Sequence, residues 1–167
     1  MKGVLISIQK PHTDNIQALI KTIEVRKNKP TIPTPFPVFI YETKSKGGCG
    51  KIIGEFVCDK IDSYIHKENN RYWWSFSSPE HIKEIEEKTC LSIAQFIDYA
   101  GDSNTLYGWH ISDLKIYDKP KELSEFKTVC YEQHCKLFYD RDCDKDTCSF
   151  RTIKRPPQSW CYVEVAE

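Results

Sequence analysis

The sequence predicts an α+β fold, a small curved sheet or barrel of short strands with flanking helices. Three observations carry that expectation. Short stretches of period-2 hydrophobicity recur between proline- and glycine-bearing connections, only three stretches show helical periodicity, and most links between strands are non-helical. The 167 residues are 40% hydrophobic and 13% aromatic, enough for a core of their own, so 1–167 is read as a single domain.

Val4, Ile6 and Ile8 alternate with polar or smaller residues, giving a half-buried strand over 4–9 that Pro11 ends. Asp14 is then placed to cap a short helix over 14–21, with Ile16, Leu19 and Ile20 at helical spacing. Residues 22–27 return to alternation. Ile23 and Val25 share one face, and Thr22, Glu24 and Arg26 share the other. Pro30, Pro33, Pro35 and Pro37 stiffen the next connection. Strands at 38–43 and 51–61 then flank a glycine-rich turn carrying Cys49. A phosphate-binding loop would need a helix after Lys51, and the pattern there is a strand.

Ser78-Pro79-Glu80 has the N-cap, N1 proline and early acid of a helix start. Ser92 opens a clearer helix, with Gln95 placed for a capping box, Leu91 and Phe96 for a hydrophobic staple, and Gly101 as the stop. Residues 106–117 return to strand, with Tyr107, Trp109 and Ile111 on one face, and 160–165 form the last strand. Between these two lies a polar, cysteine-rich insert at about 118–154.

Lys and Arg total 24 against 24 Asp and Glu, which argues against binding of any phosphate backbone through bulk charge. The balance is uneven along the chain. Residues 1–60 hold ten Lys/Arg against five Asp/Glu, leaving 14 against 19 for the rest, so an anion-binding surface is expected from the first third. With no ~20-residue apolar run and no signal-like N-terminus, a soluble cytoplasmic chain away from membranes is expected.

Three stretches together carry a resemblance: Lys21-Thr-Ile-Glu24-Val-Arg26-Lys27, Gly50-Lys-Ile-Ile-Gly54-Glu55-Phe56, and Arg155-Pro-Pro-Gln-Ser-Trp160-Cys-Tyr162-Val-Glu164. They resemble the ASCH domain family of the PUA-like superfamily, in particular its small bacterial and phage members. The family's pattern is G-x-K-x-x-E-x-R; Lys21, Glu24 and Arg26 match it, and Leu19 stands at the glycine position. The resemblance implies a barrel of five to six strands around a cleft, a role in binding RNA or modified nucleobases, and hydrolytic activity in some members. One group resembles amidohydrolases that deacetylate N4-acetylcytidine with a lysine, a threonine nucleophile and a glutamate. Glu24 occupies that threonine's position here, and Thr22 lies ~7 Å away along the strand, too far to substitute for it.

The residues themselves point the same way. Lys21, Glu24 and Arg26, with Lys27 beside them, put an ammonium, a carboxylate and a guanidinium in one row, suited to single-stranded RNA or a base-modified nucleoside. In an enzyme, Lys21 and Glu24 are the expected catalytic groups, as in a metal-independent ribonuclease. The row also reads as a surface ion-pair ladder, worth well under 1 kcal/mol per pair. Three classes therefore stay open: a nucleic-acid or modified-base reader, a small hydrolase, and a protein-interaction module.

The aromatic run Arg71-Tyr72-Trp73-Trp74-Ser75-Phe76 reads either as core or as a base-stacking surface. His12 and His110 receive no role. Cys130, Cys135, Cys143 and Cys148, with His134 beside the second, have the paired spacing of a structural Zn²⁺ site, and free thiols or two disulfides are the alternatives.

Overall fold

The computed structural model describes residues 2–68, 71–74, 78–103, 105–130, 148 and 151–164, with the side chains of 65–74 excepted. Among these residues ten strands form two sheets rather than one closed barrel, accompanied by three α-helices and two short 3₁₀ turns. β1 (Lys2–Ile8), β3 (Phe36–Glu42), β4 (Ile52–Cys58), β8 (Ser112–Lys121), β9 (Lys127–Thr128) and β10 (Trp160–Glu164) make the first sheet, in the order β8-β4-β3-β1-β10-β9. β2 (Ile23–Arg26), β5 (Ile61–Glu68), β6 (Arg71–Trp74) and β7 (Thr105–His110) make the second, in the order β2-β7-β5-β6.

The strand expected over 51–61 ends at Cys58, and the chain changes sheets before β5. The strand expected over 106–117 changes sheets the same way after His110. The two corners are stitched together. His110 N–H donates to the Lys60 carbonyl and Ile111 N–H to the Thr22 carbonyl. Strands that turn a corner in this way let two sheets enclose one core without full closure.

β1 is buried on both faces rather than one, because it lies inside the sheet, parallel to β3 and antiparallel to β10. Val4, Ile6 and Ile8 face inward with Val38, Ile40, Phe56 and Trp109, while Leu5 faces outward with Phe39, Phe126, Ile153 and Val163. Phe126 and Ile153 belong to the segment expected as an insert, so its described ends are packed against the first sheet. The second sheet buries its outer face under α2 (Pro79–Thr89) and α3 (Ile93–Ala100), through Ile23, Val25, Tyr64 and Leu106 against Ile85, Phe96 and Ala100. Gly108 sits where a Cβ would come within 2.0 Å of the Tyr64 ring, so only hydrogen fits there.

The caps explain the helices. Ser78 accepts from the His81 N–H, and Ser92 and Gln95 form the expected capping box. α1 (Lys10–Gln17) begins earlier than the 14–21 expected, with Pro11 in its first turn, where a missing N–H costs nothing. It also ends earlier. Leu19 N–H donates to the Ile16 carbonyl and Ile20 N–H to the Asn15 carbonyl, with Leu19 at φ 58, which is a Schellman motif.

Candidate functional site

Strand alternation on β2 sends Ile23 and Val25 toward the helices and leaves Glu24 and Arg26 on the face between the sheets, where Glu24 is the register partner of Trp109. The row is therefore not a surface ladder. Lys21, Glu24 and Arg26 are only 2%, 6% and 8% exposed. Glu24 Oε2 lies 3.3 Å from Lys21 Nζ, and Glu24 Oε1 lies 2.9 Å from Arg26 Nη2. Lys21 Nζ also donates to the Thr89 carbonyl at 2.6 Å, and Arg26 Nη2 donates to the Ser7 carbonyl at 2.6 Å. Arg26 Nε is buried without a hydrogen-bond partner.

These three side chains line one cavity of about 650 Å³, together with His12, Lys27 and Tyr99. Thr22 is exposed and is not part of the wall. Burial by itself pushes the Glu24 carboxyl up, but Lys21, then Arg26, then His12 outweigh it, and the group is held below its ordinary value. Glu24 is thus a fixed anion and a poor proton acceptor. Burial also pushes the His12 imidazole below 6.5; Glu24 opposes this, and Lys21, Lys46 and Arg26 reinforce it, so His12 is neutral at pH 7. With His12 neutral, three cations against one carboxylate leave the wall at +2. Tyr99 offers a ring at the rim, with Lys27 Nζ 5.3 Å from its centroid.

His12, Tyr99, Ser7 and Ser159 reach the cavity from α1, α3, β1 and the approach to β10, and periodicity on β2 alone could not find them. The polar Gln158-Ser159 pair just before β10 was the available signal. The side chains of Arg71–Trp74 and residues 75–76 lie outside the description, so the aromatic run is placed only by its backbone, as β6 paired with β5. His110 binds Asp62 at 2.7 Å, across the inner β7–β5 pair of the second sheet. Cys135 and Cys143 lie outside the described residues. Cys130 and Cys148 lie inside them as free thiols, and Arg151, whose N–H donates to the Cys148 carbonyl, is paired to Glu164. Among the described residues no three metal-ligating side chains cluster.

The chain is a two-sheeted α+β framework with a polar cavity between its sheets. Comparison with solved structures places it more finely. The chain is similar to the crystal structure of ASCH from Zymomonas mobilis, at 17% identity and a TM-score of 0.59 over 97% of this chain and 87% of that one. It is equally similar to two variants of that protein. A tyrosine-to-phenylalanine form gives 17% identity and a TM-score of 0.60, over 98% and 91% of the two chains. A serine-to-alanine form gives 16% and 0.59, over 97% and 88%. The fold is ASCH-like. No protein-family profile and no curated protein sequence matches the chain. No helix among the described residues is long and apolar enough to cross a membrane.

Proposed function

We propose that the cavity binds a single-stranded RNA segment or a base-modified nucleoside. The observation that supports this most is the buried Arg26 guanidinium, with Nε unpartnered in the wall of a cavity carrying +2. Arg26 and Lys27 suit a phosphate, Tyr99 a base face, and Glu24 an exocyclic amine. Lys21 holds Glu24 in place rather than reaching the ligand, because its ammonium is already shared between Glu24 and the Thr89 carbonyl.

The test is titration of labelled single-stranded RNA, duplex RNA and a panel of modified nucleosides against wild type, Arg26→Ala and Lys27→Ala. Single-stranded RNA or one nucleoside should bind best, each variant should weaken binding about tenfold, and the salt dependence should reflect roughly one to three released counterions. Equal, weak binding of every probe by wild type and variants would leave the interaction-module reading in its place.

A hydrolytic reading is favoured by one further observation, that His12 lines the same cavity as the ion-paired Glu24, with burial pushing its imidazole below the ordinary value. His12 would take the proton of the attacking hydroxyl or water and Arg26 would be the electrostatic clamp, with Lys21 holding Glu24, in a metal-independent cleavage of RNA or a modified nucleoside. His12→Gln should then abolish turnover and keep binding. We also propose a structural Zn²⁺ on Cys130, Cys135, Cys143 and Cys148, supported by the paired spacing of the four cysteines, of which Cys130 and Cys148 are free thiols. Metal analysis finding one zinc per chain would support it, and thiols oxidised in pairs or freely titratable without metal would overturn it.

A further inference from the structure

A second cavity, of about 700 Å³, opens on the far side of Ser7, Thr43 and Gln158, which line both cavities. Each volume falls within the ~300–1,000 Å³ of small-ligand sites. The shared wall is built of polar residues. Ser7 is fixed from both directions, its carbonyl accepting from Arg26 and its hydroxyl donating to the Pro157 carbonyl at 2.7 Å. Thr43 Oγ1 is 2.6 Å from Ser45 Oγ, which anchors the other side of the wall to the turn after β3.

The charge of the second cavity is positive. Lys44 and Lys154 line it and are exposed, with no acidic partner among the described residues, whereas its carboxylate, Glu122, is neutralised by Lys51 at 2.6 Å. Lys44 has a defined path. Its stem lies over Gly50, where a Cβ would come within 2.6 Å of Lys44 Cγ, and Gly50 has φ +69. A glycine-rich turn that resembles a phosphate loop in composition but not in secondary structure thus serves to aim a lysine.

We infer that the second cavity is a subsite for the phosphodiester and sugar next to the nucleotide held at Arg26, so that the ligand of the whole groove is a single-stranded oligonucleotide rather than a lone nucleoside. The inference rests on the nucleic-acid reading of the first cavity and assigns that site its ligand length. Two cationic depressions joined over a hydroxyl-lined wall fit a flexible polyanion with a charge on every residue. A lone nucleoside would leave Lys44 and Lys154 unused.

The experiment compares a nucleoside 5′-monophosphate with a tetranucleotide RNA by calorimetry, using wild type, the exposed-lysine double variant Lys44→Ala/Lys154→Ala, and Arg26→Ala. Thermal melts check that each variant is folded. Wild type should bind the tetranucleotide at least tenfold tighter than the monophosphate. The double variant should lose most of that difference, leave monophosphate binding unchanged, and show a salt slope for the tetranucleotide lower by about one to two. Gly50→Ala should act in the same direction by displacing Lys44. Monophosphate and tetranucleotide binding with equal affinity to wild type would overturn the subsite and leave the first-cavity reading standing. Failure of both probes to bind would overturn the two together.

Discussion

The ammonium of Lys21 caps α2: its Nζ donates to the Thr89 carbonyl at 2.6 Å, while the Thr22 N–H donates to the Lys88 carbonyl. Two carbonyls at the end of α2 are thus satisfied by the two residues that lead into β2, and the positive charge complements the helix dipole. Lys21→Ala removes the cap and leaves Glu24 buried against Arg26 alone. Stability should fall by about 2–4 kcal/mol, read by urea unfolding, and an unchanged midpoint would show that the ion pair adds nothing.

Acid should unfold the protein in two stages. His12 has a folded pKa below 6.5, so the unfolded chain binds the proton first. Its contribution is complete above 6.5 and declines as pH falls through the range beneath it. Glu24 is held below 4.5, so its contribution is present above that value and is lost as pH falls further. Denaturation midpoints measured from pH 8 to 3 should show both limbs, with His12→Gln removing the upper and Glu24→Gln the lower.

Leu19 occupies a left-handed position at 70% exposure, in the slot where the related pattern has glycine. A left-handed conformation costs a side-chain-bearing residue about 1–2 kcal/mol, and glycine's extra chain entropy offsets about half of this. Leu19→Gly should raise stability by about 0.5–1 kcal/mol. A destabilised variant in a thermal melt would mean that the Leu19 side chain packs on something.

Gly108→Ala tests the seat of Tyr64. The added methyl must displace a ring buried between the second sheet and its helices, which should cost about 1–3 kcal/mol. The loss should be read as a lower melting temperature with the Arg26-dependent binding intact.

The sequence was most legible where local chemistry decides. Ser78 and Ser92 announce their helices, and the alternation of Ile23, Val25, Glu24 and Arg26 gives the faces of β2. Where the chain changes sheets it was not legible, because alternation runs through His110 without a break, only Asp59-Lys60 interrupts it after Cys58, and the corner is made by backbone bonds between distant segments. The same holds for β5 and β6, which cover a stretch where the pattern is weak. At the site, Lys21, Glu24 and Arg26 could be seen, but their depth could not, and this turned expected ligand contacts into buried partners. His12 and Tyr99 are lone residues on short helices, joined to the row only by tertiary packing.

Arg26 stands on β2 in the second sheet, and the Ser7 carbonyl it holds belongs to β1 in the first. The two sheets also share the apolar core around Trp109 and are stitched at the corners, so this polar bond works as a clasp at the mouth between them. Anything that engages Arg26 handles the clasp, and a ligand that bridges to the Ser7 side will draw the two layers into one mechanical unit. Amide protons of β1 and β2 should then exchange more slowly in concert when the cavity is filled, so occupancy can be read from the stiffness of the scaffold without observing the ligand.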